Sequence, residues 1–399
     1  TATARAWLDY GNLLWRSLKH AESVKAFDRS LKLLAASDSP DRDLVKLAYY
    51  GRGLSLLRLK QPQLAVTAFQ QAVKVDAKFM PAYKNLAYAL SASNRNLEAL
   101  DAIQKAIESS PKNNGLYISQ GLNLFKLKRY SEAFTAFNIA IDLQPNNCFN
   151  YFIRSLYYTK LKQYPQALVD IDRSFQLDPQ DATLYYVQRG NIYSYLRQYS
   201  RSIVDYNKAI ELTPQLAMTY AVRGATYTQQ KQYSQALTDL NKAIRLGDNN
   251  ATTYASRGEV YRLQKQSTSA LADYTTAIQL DPKYVDAYND RGTIYADLQQ
   301  YPEALADYTK SLQINPQYLN GYNNRGNLYI AQQQYSLALA DFNKLLQLDP
   351  KYANGYNNRG VVYFVQKQYA LSLADCNKAI QLDPQNAIAY INRGEIYYE

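Results

Sequence analysis

The side chains best able to do chemistry in this sequence are amides. Asn323, Asn324 and Asn327 follow one Tyr, and Asn357 and Asn358 follow another 34 residues on. Asn289, Asp290, Asn320, Asn354 and Asn392 belong to the same row. An Asn offers donors and an acceptor together, so such a row could pair with the backbone of an extended peptide. It could equally be a solvated helix surface. A second group lies nearer the N-terminus: Tyr50, Lys84, Tyr88, Phe125, Lys126 and Lys160, among Leu54, Leu57, Arg58, Ile118, Leu122, Phe152 and Leu156. This group is apolar with a basic edge. Exposed, it would mark a partner site, and the alternative is burial under a neighbouring domain.

A third set has internal logic. Arg stands at 154, 189, 223, 257, 291, 325, 359 and 393, and Asp at 170, 205, 239, 273, 307, 341 and 375. In earlier repeats the Asp position holds Ala26, Ala68, Ala102 and Ala136, and the Arg position holds Tyr10, Arg52, Leu86 and Gln120. Arg and Asp therefore come and go together, with Arg52 the one exception. They are expected to pair as charge-assisted hydrogen bonds, a structural ladder rather than an anion-binding row.

Other chemistry is poorly supplied. One His, His20, and two Cys, Cys148 and Cys376, do not make a metal cluster or a disulfide scaffold. There is no phosphate-binding Gly-rich loop and no nucleophile elbow. The expectation is no catalytic residue, no metal and no cofactor. No apolar run approaches the length a membrane span needs.

The elements that position these residues repeat every 34 residues. Gly190, Gly224, Gly258, Gly292, Gly326, Gly360 and Gly394 mark the register, continued backward by Ser155, Gly121, Ala87 and Gly53, with Gly11 at the start after a longer loop. Four residues before each stands an aromatic, from Trp7 and Tyr49 to Tyr356 and Tyr390. Three after it, the later repeats carry Tyr158, Tyr193, Tyr227 and their successors. An aromatic, a Gly and a Tyr at offsets 0, 4 and 7 share one helix face. A small residue twelve after the Gly (Ala65, Ala236) and a large one sixteen after it (Phe69, Tyr206, Phe342) share a face of a second helix. Pro, as at 111, 145, 214 and 350, then ends that helix. One helix pair cannot bury its apolar face alone, so neighbours must stack into a solenoid. Most of the 39 Tyr fall at these packing offsets, so the Tyr are expected in the core rather than stacked on bases. Cys376 takes the large apolar offset and should be core. The face opposite the aromatic, at offsets −2, +2, +5 and +9 with +1 and +8 beside them, should carry the ligand residues.

The aromatic, Gly, Tyr, Ala, large apolar and Pro offsets resemble the tetratricopeptide repeat, and the resemblance covers essentially the whole chain. It implies an all-α, right-handed α-solenoid of about eleven 34-residue helix-turn-helix repeats plus the start of a twelfth. The expected organisation is a single superhelix over 1–399, with divergent basic repeats in 1–146 and regular Arg/Asp repeats in 147–399. The family's concave side is lined by the first helix of each repeat, and the matched residues are packing residues, so the resemblance implies binding rather than catalysis. The Asn row is similar to the Asn ladder in the repeat arm of O-GlcNAc transferases, in the last repeats only. Against the carboxylate clamp of co-chaperone repeats, Lys84 is suitably placed but Tyr88 replaces the Asn that should follow, so no chaperone-tail clamp is expected.

The functional expectation is a non-catalytic scaffold that binds a peptide or protein partner on its concave surface. The alternative is the substrate-recruiting arm of a larger glycosyltransferase, kinase or protease. Residues 1–180 hold 24 Lys and Arg against 15 Asp and Glu, and 181–399 hold 21 against 19, so an acidic partner would be drawn to the N-terminal repeats. Nucleic acid is disfavoured despite a pI near 9.2, because the Arg are committed to paired offsets. The sequence starts without Met and stops inside a first helix with no polar cap, which suggests a piece of a longer protein or self-association through the C-terminal end. The compartment is open, with a soluble, cytoplasmic protein favoured.

Overall fold

The computed structural model describes residues 2–180 and 182–399. Those residues form 23 helices and no strand. They group into two compact units, Thr1–Gln188 and Arg189–Glu399, and each is an all-α solenoid of stacked helix pairs. Within a pair the first helix carries the aromatic and the Gly, as in Asn114–Lys126 or Leu319–Ala331. The second carries the Ala and the large apolar residue, as in Tyr130–Leu143 or Tyr335–Leu348.

The two helices approach closely because the Gly has no side chain. A Cβ on Gly53 would lie 2.5 Å from a ring carbon of Phe69, and one on Gly326 would lie 2.7 Å from Phe342. Phe27, Phe69, Phe137, Tyr206, Tyr274 and Phe342 occupy this slot and are the largest fully buried side chains. Cys376 takes the same slot and is fully buried, and that burial pushes its thiol up.

Between the helices of each pair the chain turns through one residue at φ near 60°: Lys128, Lys162, Arg197, Lys231, Lys265 and their equivalents. This left-handed turn is the usual seat of Gly or Asn, and only Asn94 supplies one of those here. Pro62, Pro165 and Pro302 then open second helices, where a missing N–H costs nothing. The chain returns through the Pro turn. There the hydroxyls of Tyr117, Tyr151, Tyr220, Tyr322 and Tyr356 donate to the carbonyls of Pro111, Pro145, Pro214, Pro316 and Pro350.

The expected Arg–Asp pairs are all present, within each repeat. In the first unit Arg154 grips Asp170 by two hydrogen bonds of 2.7 Å. In the second, Arg189, Arg223, Arg257, Arg291, Arg325 and Arg359 grip Asp205, Asp239, Asp273, Asp307, Asp341 and Asp375 at 2.7–2.9 Å. Every one of these Asp is buried. The third nitrogen of the guanidinium reaches back to the preceding repeat. Arg257 bonds Asn241, Arg291 bonds Thr275, Arg325 bonds Thr309 and Arg359 bonds Asn343. Each of these four Arg is therefore a staple between repeats as well as a pair within one. Arg52 now makes sense: its own repeat has Ala68, and it pairs with Asp28, which occupies the reach-back position of the repeat before.

The aromatics differ from the expected core. Tyr83 and Tyr288 are buried, but most residues at that offset are half-buried, and Trp7 and Tyr390 are 36% and 43% exposed. Their rings, with the Tyr seven residues on, close over the guanidinium from two sides. Arg291 lies 5.8 Å from Tyr288 and 5.9 Å from Tyr295. The same geometry recurs at Arg154, Arg223, Arg257, Arg325 and Arg359. The Tyr-rich face is thus a set of cages around Arg.

Candidate interaction face

In the second unit the amides of the first helices bond to one another. Asn392 donates to Asn357 at 2.8 Å, Asn357 to Asn358 at 3.2 Å, and Asn358 to Asn323 at 3.0 Å. Asn323 donates to Asn324 at 3.3 Å, Asn324 to Asn289 at 3.0 Å, and Asn289 to the carboxylate of Asp290 at 3.1 Å. One chain of hydrogen bonds, all in one sense, links four repeats. Each step combines a +1 residue with its +2 neighbour and with the +2 residue of the next repeat.

This geometry corrects the surface placement expected for part of the row. Asn289 and Asn357 are 4% and 5% exposed, because offset +1 faces the neighbouring first helix rather than solvent. Asn323, Asn324, Asn358, Asn392 and Asp290 are half-buried, each with part of its hydrogen-bonding capacity used. Asn320, Asn327 and Asn354 are exposed, and Asn354 accepts from Asn386.

Both ends of the chain are chemically terminated. The repeat before Asp290 has Ala255 at +1, which offers no side-chain acceptor, and a carboxylate has no donor to place there. At the other end Ile391 stands beside Asn392. Asp290 bears a cost for its position. Burial pushes its carboxyl up to about 6, against the hydrogen bond from Asn289, and nearby Glu259 and Asp286 add to the rise while Arg262 opposes it. Arg262 is itself held by Glu259 at 2.7 and 2.8 Å.

A titration prediction follows. Below about pH 3 Asp290 is protonated folded or unfolded and bears no penalty. As pH rises toward 6 the unfolded chain ionises more readily, and stability is lost. Asp290→Asn keeps the acceptor for Asn289 and removes the charge. It should stabilise the protein by about 2 kcal/mol at neutral pH, with the gain fading to nothing at about pH 3. Thermal melts of both proteins across that range test this; a gain independent of pH would show that the carboxylate is not the cause.

In the first unit the first-helix face is different. Tyr50 is half-buried against Phe69 and Phe79 and accepts from Asn85 at 3.0 Å. Phe125 meets Tyr157 edge-on at 4.5 Å, and Lys160 sits 4.8 Å over the Tyr157 ring. Lys84 and Lys126 are exposed, Lys126 donates to Ser91 at 2.8 Å, and Tyr88 is 65% exposed.

Two pockets of about 320 Å³ each open on this face. Trp15, Leu54, Leu57 and Arg58 line one, Ser119, Leu122, Asn123 and Lys126 line the other, and Asn85 and Tyr88 line both. Sequence reasoning missed Trp15, Asn85, Ser119, Asn123 and Tyr157. Asn123 alone carried a signal, as an amide amid the apolar run of Leu122, Leu124 and Phe125.

His20 packs beside the Trp15 ring, and Cys148 is half-buried with Asp178 at 3.9 Å. Among the described residues no cluster of His, Cys, Asp and Glu could hold a metal ion, and no helix is long and apolar enough to cross a membrane.

Sequence profiles described as tetratricopeptide repeat match residues 2–78, 50–114, 84–147, 184–216, 285–318 and 353–386. One described as TPR repeat matches 224–265, 258–299 and 326–367. No curated protein sequence matches the chain. Among solved structures it is similar to the APC/C hetero-tetramer Cut9–Hcn1, at TM-score 0.57 and 15% identity over 99% of this chain and 90% of that one. It is also similar to YrrB, a TPR protein with an unusual peptide-binding site (TM-score 0.39, 23% identity, 47% of this chain and 97% of that one). MamA gives 0.37 and 24% identity over 41% and 96%. At 15% identity the likeness to Cut9–Hcn1 is one of fold alone.

Proposed function

This chain belongs to the tetratricopeptide repeat family, and from that premise we propose that it is a non-catalytic scaffold which binds a peptide or protein segment along the concave face of its first helices. The observation that carries the reading is the contrast between the two first-helix faces. In the second unit the amides are spent largely on one another. In the first unit an exposed Tyr88, the exposed Lys84, Lys126 and Lys160, and two pockets stand together. Tyr50 and Phe125 support that surface. Within the second unit, Asn320, Asn327 and Asn354 are exposed and Asn324 and Asn358 keep unused donors, so that face can make amide contacts of its own.

Photo-crosslinking tests this. A benzophenone amino acid replaces Tyr88, Asn327 or, as a control on second helices, Leu97 or Val169, both exposed. The expected result is partner capture from Tyr88, with Asn327 reporting separately on the second unit's face. Capture from Leu97 or Val169 alone would overturn the reading. A companion variant separates scaffold from site. Asn324→Ala with Asn358→Ala leaves the carbonyls of Asn289 and Asn323 without donors, and should cost about 1–3 kcal/mol per orphaned group. Unchanged melting would show those amides to be solvated surface.

A further inference from the structure

We infer that the two adjoining pockets of the first unit read an acidic peptide segment carrying a Trp or Tyr, a deepening that rests on the peptide-binding role proposed above. Tyr88 is the wall between them. The pocket beyond it has about 320 Å³, at the lower end for a ligand site, so it fits one large side chain rather than a whole small molecule. Its apolar lining includes Ile103, Leu116 and Leu122.

Asn123 sets the chemistry of the occupant. It is 4% exposed, and its Nδ2 donates to the Ser119 carbonyl at 2.8 Å. Its Oδ1 is buried with no partner. A buried acceptor without a donor is costly, and a ligand that brings a donor into this lining removes the cost. An indole N–H or a phenol O–H does so on an aromatic body that the apolar walls accept. A Phe ring fills the space and leaves the oxygen unpaired.

The other pocket and the rim set the charge. Trp15 Nε1 is a buried donor without a partner, and the Arg58 guanidinium lies 6.0 Å from that ring. Together they offer a carboxylate a donor and a cation. Lys84 and Lys126 stand at the second pocket. The excess of 24 basic over 15 acidic residues in 1–180 favours the same sign of ligand.

The test is fluorescence anisotropy of the full chain with three labelled peptides, Asp-Glu-Glu-X-Glu-Asp, where X is Trp, Phe or Ala. The Trp peptide should bind most tightly. The Phe peptide should be about three- to tenfold weaker, the worth of one hydrogen bond, and the Ala peptide roughly thirtyfold weaker or more. Asn123→Ala should erase the Trp–Phe difference and leave the Phe peptide unchanged. Lys84→Glu with Lys126→Glu should weaken all three. Tyr88→Ala, at an exposed position, should lose the aromatic preference with no change in melting, which covers the case of a misfolded Asn123 variant. Equal binding of the Trp and Ala peptides, or a Trp–Phe difference that survives Asn123→Ala, overturns the inference. Failure of all three peptides while the Tyr88 crosslinker still captures a partner sinks this specificity and leaves the scaffold standing. Failure of both assays sinks both.

Discussion

Asp307→Ala is expected to lower stability by about 3–5 kcal/mol, the usual effect of removing one partner of a buried pair. Asp307 is 6% exposed and takes both hydrogen bonds from Arg291. Without it the guanidinium stays caged by Tyr288 and Tyr295, still tied to Thr275, with its charge uncompensated. The sequence also supplies the rescue. Where Asp becomes Ala at position 102, the Arg position is Leu86, which is buried. Arg291→Leu with Asp307→Ala should therefore recover most of the loss. Urea unfolding and amide exchange across the repeat read both proteins, and exchange should speed up mainly in the repeats that Arg291 joins. A double variant as unstable as the single one would mean that the Arg matters for its reach-back to Thr275 more than for its Asp.

Tyr288→Ala is the second large effect, about 3–5 kcal/mol for truncation of a buried aromatic. Tyr288 is 9% exposed, packs in a cluster with Tyr274 and Ala287, and forms one wall of the Arg291 cage. Tyr288→Phe keeps ring and cage, and should cost far less. Tyr390→Ala, at the same offset but 43% exposed, should cost little. If both Ala variants melt alike, burial does not govern this position.

The repeat and the Arg–Asp pairs were legible in the sequence because both depend on offsets inside one repeat, which helix geometry fixes. Substitution of Ala102 and Leu86 as a set gave the pairing away. The amide chain was not legible as self-bonded, since its steps run between repeats and depend on how neighbouring first helices stack. The same signal was nonetheless present: Asn289 with Asn324, Asn323 with Asn358 and Asn357 with Asn392 occur together, and Ala255 occurs with Asp290. The left-handed turns were hidden because Lys or Gln fills most of them instead of Gly. The pockets were half legible. Tyr88, Lys84 and Lys126 were placed on that face, but Asn123 sits at a phase that reads as interior and Trp15 comes from another repeat.

The amide chain has one sense throughout, and each step looks only to an adjacent module. Excision or duplication of a unit such as 323–356 would rejoin an acceptor to a donor in the original direction, and the reach-back staple of Arg359 would find an equivalent partner at the new junction. The array can thus change length in whole modules without rewriting its polar contacts, while the carboxylate of Asp290 fixes where the series stops. Reach along a ligand and fidelity of stacking are separately adjustable in this architecture, the first by copy number and the second by the local sequence of each copy.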